Sequence, residues 1–171
     1  MQIAKACQGI AALVGSPQHS VKGKGLLNAA FLLQDGRIIA ARSKTLLPTY
    51  DVFDEHRYFD CNTSCEILEF EGLRIALTIC EDLWNVGPHP VYASNPMDEL
   101  IKQKPDVIIN LAASPFAAEH HKERKRVFHL NALKYQLPLI NVNQVGAHTD
   151  LVFDGGSLVY SAHGELIYEL A

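Results

Sequence analysis

The sequence predicts an α/β protein built as a layered sandwich, and three observations point there. Short apolar runs alternate with amphipathic stretches along all 171 residues, with no repeat and no low-complexity linker. Paired apolar runs meet at Asp35-Gly36, at Glu71-Gly72 and near His163-Gly164, and Asp-Gly favours the positive φ angles of a tight hairpin turn. Hairpins are many and helical patterns few, which suits stacked layers.

Taken in order, "GIAALVGSP" reads as a strand and "NAAFLLQDGRIIAARS" as the first hairpin. "CEILEFEGLRIALTIC" repeats the arrangement, and its second strand, residues 74 to 79, delivers Cys80 to its carboxyl end. Asn95-Pro96 resembles a helix start, with Asn as the cap and Pro at the first helical position; Pro105 ends that helix before the buried strand "DVIINLA". This is a βαβ step. A longer helix is predicted over residues 119 to 136, where Val127, Leu130 and Leu133 recur beside Phe128, Ala132 and Tyr135 and the other face is charged. "LPLINVNQVG" returns as a strand, and "GGSLVYSAHGELIYEL" closes with the third hairpin.

Composition narrows the function classes. A chain of 171 residues that is 48% hydrophobic can bury one real core, so one domain is expected. The net charge of −4 gives no electrostatic reason to expect nucleic acid, and no apolar run approaches the roughly 20 residues needed to span a bilayer. No N-terminal stretch orders a basic region, an apolar core and a cleavage site, so a cytoplasmic location is the expectation. Cys7, Cys61, Cys65 and Cys80 are few and irregularly spaced, as in reduced thiols rather than a disulfide framework. Cys61 and Cys65 could share a metal, but no second pair completes a zinc set.

Cys80 divides two readings. A thiol at the carboxyl end of a strand sits where α/β enzymes place reacting groups, yet free cysteine also packs well as a small buried hydrophobe. The neighbours tip the balance: "CEDLW" follows the thiol with two acids and an indole, an odd continuation for plain core. A nucleophilic thiol needs a base and a cation or helix amino terminus to hold the thiolate. Of the eight histidines, His19, His56, His89 and His163 lie in turn-like or polar contexts, and His120-His121 opens a charged helix; none announces a Cys-His pair. The alternative is a lysine paired with a carboxylate: Lys44 follows a strand, and the aromatic-rich loop after it contains Glu55.

Three separated blocks then resemble the carbon-nitrogen hydrolase (nitrilase) superfamily, in the branch formed by the glutaminase domains of glutamine-dependent NAD synthetases. "KTLLPTYDVFDEHRYF" resembles the lysine block of that family and "ICEDLW" its nucleophile block; "NLAASPF", "NQVG" and "LVFDGGS" resemble its substrate-side blocks. The resemblance implies an α-β-β-α sandwich and a Glu-Lys-Cys triad. Cys80 would be the nucleophile on the side-chain amide of glutamine, Lys44 its partner, and Glu55 the second glutamate that orients the lysine. Tyr50 and Ser114 would contact glutamine, with Glu81 and His120 near its charged end. His120 stands where the family usually has a permanently basic residue, and histidine can be neutral near pH 7.

The resemblance also implies a first triad glutamate, the general base, upstream of "MQIAKACQGIAALVGSP". On this reading residues 1 to 171 are a partial glutaminase domain, truncated at both ends, impaired in isolation, and lacking the synthetase domain. No "SGGxDS" loop occurs, so ATP with Mg would belong to that absent domain; hydrolysis itself needs no cofactor and no metal. Glutamine, the synthetase domain of the parent chain and further copies of the chain are the expected partners, with no nucleic acid and no membrane. A non-catalytic interaction module of the same fold, or an amidase acting on another amide, are the alternatives.

The remaining features have plainer readings. "KERKR" at 122 to 126 is diluted by Glu119 and Glu123 and reads as a solvated or domain-facing helix surface. Trp84 fits either the pocket or the core behind the nucleophile. "FDGGS" reads as a turn whose glycines admit a close approach, and His148, Thr149 and Asp150 as a loop near the site mouth.

Overall fold

A computed structural model describes residues 2–21, 23–88 and 90–170, so the expected turn at His89 lies outside the described residues. The layers run helix, sheet, sheet, helix. The outermost is α1 (Gln2–Ala6), where Ala4 and Cys7 pack on Ala29, Phe31 and Leu33 of the first sheet. That sheet is antiparallel and ordered β1 (Ala11–His19), β2 (Leu26–Gln34), β3 (Arg37–Ser43). Successive side chains of a strand point to opposite faces. Thus Ala29, Phe31 and Leu33 of β2 meet α1, while Ala30 and Leu32 meet the second sheet.

After β3 comes a loop that carries α2 (Glu55–Tyr58), and then the second sheet. It holds β4 (Leu68–Phe70), β5 (Leu73–Ile79), β6 (Val107–Ala112) and β7 (Leu139–Asn143), with β10 (Leu158–Tyr160) and β11 (Leu166–Glu169) on its far side. The spatial order is β11-β10-β7-β6-β5-β4. β5, β6 and β7 are parallel, joined by crossovers through α3 (Pro96–Leu100) and α4 (His120–Tyr135). Ile75, Leu77 and Ile79 of β5 face the first sheet; Ala76 faces the helices, where Met97, Leu100, Val127 and Phe128 close the core.

The turn chemistry works as expected. Asp35 and Gly36 take φ of 46° and 82°, and Glu71 and Gly72 take 50° and 83°, the paired positive angles that close a two-residue hairpin with the right twist. Asn95 caps α3 by accepting from the Met97 N–H at 3.0 Å with Pro96 behind it, and the chain leaves through Lys104 at φ 52°. Gly164 makes the third turn, and a Cβ there would lie 2.7 Å from Leu133 Cγ.

Three expectations need correction. The buried stripe of α4 is Arg124, Val127, Phe128, Asn131, Ala132 and Tyr135, while Leu133 is exposed and Leu130 half-buried. Steps of three residues lag a helix of 3.6 per turn, so the row Val127, Leu130, Leu133 drifts off the core face. Arg124 likewise leaves the solvated "KERKR" surface: it is 1% exposed and pairs with Asp154 at 3.0 Å. The segment after β7 also differs, because β8 (Val145–His148) and β9 (Leu151–Asp154) form their own two-stranded hairpin where a strand end and a loop were expected. Its exposed pattern along β8 carries no apolar alternation that a sequence reading could use.

Candidate active site

The parallel register of β5, β6 and β7 brings their carboxyl ends level, and the candidate site lies across them. Cys80 is the first residue past β5. Its φ of 44° is left-handed, so the chain turns sharply there into a short 3-10 turn, Cys80–Leu83. A non-glycine residue in that region costs about 1 kcal/mol or more, and neighbouring bonds must hold it. Asp82 supplies them. Its Oδ2 accepts from the Ile79 N–H at 3.0 Å, and its Oδ1 accepts from the Thr45 and Leu46 N–H groups at 3.0 and 2.8 Å. One buried carboxylate thus ties the turn at Cys80 to the chain that follows Lys44. Burial pushes the Asp82 carboxyl up to about 6, with the backbone N–H groups pulling the other way.

Lys44 leaves the end of β3 with its backbone N–H donated to Asn28 O at 2.8 Å. Its side chain is 0% exposed, and Nζ donates to Glu55 Oε1 at 2.6 Å. Glu55 opens α2, and its Oε2 accepts from Asn28 Nδ2 at 3.2 Å. Burying an ammonium with no exposed side-chain surface is costly unless it is paired, and Glu55 provides that partner. Burial pushes the Cys80 thiol up to about 11; the Lys44 ammonium draws it down, and Glu81, Glu55 and Asp82 push it up.

Two cavities meet at Cys80. The smaller, about 120 Å³, is lined among others by Tyr50, Phe53, Glu81, Trp84, Ser114 and His120. The larger groove, about 530 Å³, reaches Cys80, Lys44 and Glu55 from the side of β1 and β7, between Val14 and Val142. All four expected substrate contacts therefore face one cavity, and the charged pair faces the other. Trp84 lines the smaller cavity, its ring 5.0 Å from that of His120, and also packs against the helix-side core.

Glu81 is buried with both oxygens engaged: Oε2 accepts from Tyr50 Oη at 2.8 Å and Oε1 from Tyr92 Oη at 3.0 Å. Burial raises its proton affinity, while the two phenols and Lys44 lower it. Ser114 is set by Asn143, whose Oδ1 accepts the Ser114 N–H at 2.8 Å and whose Nδ2 donates to Gly155 O at 2.7 Å. His120 opens α4, with Nδ1 2.9 Å from Pro115 O. Gly156 lets Arg124 come close, since a Cβ there would lie 3.1 Å from its Nη2.

Cys80, Lys44, Glu55, Tyr50, Glu81, Ser114 and His120 are thus all brought to one place. Sequence reasoning placed Asp82 near the site, as one of the two acids after the thiol, without giving it the backbone contacts it makes. It missed the supporting residues Tyr92 and Asn143, which reach the site only through tertiary contacts. Among the described residues no group of three or more His, Cys, Asp or Glu side chains is placed to hold a metal ion. No helix among them is long and apolar enough to cross a membrane.

Comparison with known proteins agrees with this fold. The carbon-nitrogen hydrolase profile matches residues 1–171. A glutamine-dependent NAD(+) synthetase from Synechocystis is 42% identical over 166 residues, which is 92% of this chain and 30% of that protein. The enzyme of the same name from Thermotoga maritima is 38% identical over 140 residues, 82% of this chain and 23% of that protein. Among solved structures, the glutamine-dependent NAD+ synthetase from Acinetobacter baumannii, in complex with ADP, superposes with a TM-score of 0.86 at 30% identity, covering 99% of this chain and 30% of that one. An amidase of the nitrilase superfamily from Nesterenkonia shares the fold, with a TM-score of 0.79 at 20% identity over 99% of this chain and 60% of that one. The chain thus spans less than a third of the synthetases it matches. A thiol on a left-handed turn at a strand end, a buried lysine paired with a glutamate, and a profile match over the whole chain agree: it belongs to the carbon-nitrogen hydrolase family.

Proposed function

We propose that this chain hydrolyses the side-chain amide of glutamine through a thioester at Cys80 and supplies ammonia to NAD synthesis in a larger enzyme. The observation that carries this reading is the placement of Cys80 between the Lys44–Glu55 pair, 2.6 Å apart, and a cavity that holds the Glu81 carboxylate. The glutamine dependence named for the Synechocystis and Thermotoga relatives supports the choice of amide.

In the proposed reaction the Cys80 sulfur, once its proton is removed, attacks the amide carbon and forms the C–S bond. The Lys44 ammonium and a backbone N–H near Cys80 stabilise the negative oxygen of the tetrahedral intermediate. The C–N bond then breaks, the nitrogen takes a proton, and ammonia leaves. Water adds to the thioester, and glutamate departs as the thiol is restored. Tyr50 and Ser114 hold the substrate, with Glu81 facing its ammonium and His120 its carboxylate.

The three carboxylates that act on Cys80 are already committed: Glu55 to Lys44 and Asn28, Asp82 to three backbone N–H groups, and Glu81 to two phenols. Taking the thiol proton would weaken the hydrogen bonds each of them already accepts, so turnover by these residues alone should be slow. The same reading expects a synthetase domain using ATP with Mg, association into homo-oligomers and a cytoplasmic setting, while hydrolysis itself calls for no cofactor. Ammonia release from glutamine by the chain, compared with Cys80→Ala, tests the proposal. A slow release lost in the variant is expected; release that persists without the thiol would contradict it.

A further inference from the structure

Tyr92 reaches Glu81 from outside the pocket. It lies on the loop between Asn85 and Asn95, and it is not among the residues that line the cavity, whereas Tyr50 is. The loop is closed on itself by Asn85. The Asn85 Nδ2 donates to Tyr92 O and to Ser94 O, both at 2.9 Å, its Oδ1 accepts from the Tyr92 N–H at 3.0 Å, and Asn95 Nδ2 donates to Asn85 O at 3.0 Å. Asn85 is buried and so fixes the backbone of Tyr92 on both sides. The phenol is thereby aimed at Glu81 Oε1, 3.0 Å away.

We propose that Tyr92 is a positioning residue that holds Glu81 as a fixed acceptor for a cationic amino group, so that the pocket selects α-amino amides over neutral amides. This rests on the glutamine reading and deepens it. A phenol brings one hydrogen, and an ionised carboxylate has about four lone-pair sites. Two phenols therefore fix both oxygens of Glu81 and leave lone pairs for an ammonium. A neutral amide gains nothing from that arrangement.

The groups acting on Glu81 come from every neighbouring segment. Tyr50 on the loop after β3 and Tyr92 on the Asn85 loop donate to it. Lys44 at the end of β3 favours its charge, Glu55 of α2 opposes it, and the Cys80 thiol is adjacent on the nucleophile turn. Burial is the largest influence and favours the neutral acid. Losing the Tyr92 hydroxyl removes one donor to the charged form while the ring stays in place.

The test measures how well glutamine, and separately propionamide as a neutral amide, protects Cys80 from iodoacetamide, read at the Cys80 peptide by mass spectrometry. In Tyr92→Phe the glutamine concentration giving half-protection should rise about tenfold, as for loss of a hydrogen bond to a charged group. Propionamide protection should stay as it was, and the acid limb of glutamine protection should move to higher pH. Circular dichroism and the unprotected alkylation rate report whether the fold is kept. Glutamine and propionamide protection weakening together, or neither changing, would overturn the proposal. A wild-type chain that glutamine does not protect would instead overturn the glutamine reading, and this inference with it.

Discussion

Cys80 holds a strained backbone conformation and a buried thiol at one position, and both leave measurable marks. Burial lifts its ionisation from 9.0 in the unfolded chain to about 11 in the fold. The native state keeps the proton longer, so the stability this group contributes is complete below pH 9 and is lost as pH rises through about 11. Thermal melts across that window should fall more steeply for the wild type than for Cys80→Ala; parallel curves would contradict the burial argument. Lys44→Met should lower glutamine hydrolysis by about 100-fold, the usual scale for removing one stabiliser of an oxyanion. It also leaves Glu55 without its cation, so the loss belongs to the pair. Asp82→Ala strips the acceptor from three backbone N–H groups and frees the left-handed turn; it should cost about 2 kcal/mol or more of stability in urea unfolding, because the orphaned donors at Ile79 and Leu46 are buried.

At the scale of elements, legibility followed local chemistry. Asp35-Gly36 and Glu71-Gly72 announced their hairpins because the turn geometry demands positive φ at both residues. Asn95-Pro96 announced α3 for a similar reason, since cap and first position each have a preferred residue. Asn95→Ala should therefore cost about 1 kcal/mol in chemical denaturation, and a change below a few tenths would show that packing of Met97 and Leu100 alone sets the helix start. The inner face of α4 was only partly readable. Arg124 and Asn131 interrupt its apolar stripe, and what makes them tolerable inside lies largely far along the chain: Asp154 for the arginine, and the Leu83 carbonyl for the asparagine, which also donates to Val127 O one turn back. The β8–β9 hairpin left little trace, because β8 is exposed throughout and β9, which buries Phe153 and exposes Val152, is only four residues long.

The whole molecule places two apolar interfaces around one sheet, and they meet at the site. Leu32, Ile75 and Leu77 fill the space between the sheets, while Met97, Val127 and Phe128 fill the space under the helices. Phe128→Ala should destabilise the chain by about 3–5 kcal/mol, as for any large ring removed from a packed core. The residues gathered at the candidate site come from distant segments: Lys44 and Glu55 are eleven residues apart, Cys80 lies a further twenty-five along, and Ser114 and His120 come later still. Periodicity could not join them. Position at a strand end together with the acids and indole of "CEDLW" singled out Cys80, but the choice of lysine over histidine rested on the resemblance of separated blocks, and the supporting contacts of Tyr92 and Asn143 depend on the fold.

The central claim is that Cys80 is a nucleophile facing a glutamine pocket. Its most direct measurement is covalent labelling with a chloroketone that mimics glutamine, with the modified residue identified by peptide mass spectrometry and free glutamine added as competitor. The account predicts modification at Cys80 in preference to the exposed Cys61, slowed by glutamine. Labelling that favours Cys61, or that glutamine leaves unchanged, would contradict it.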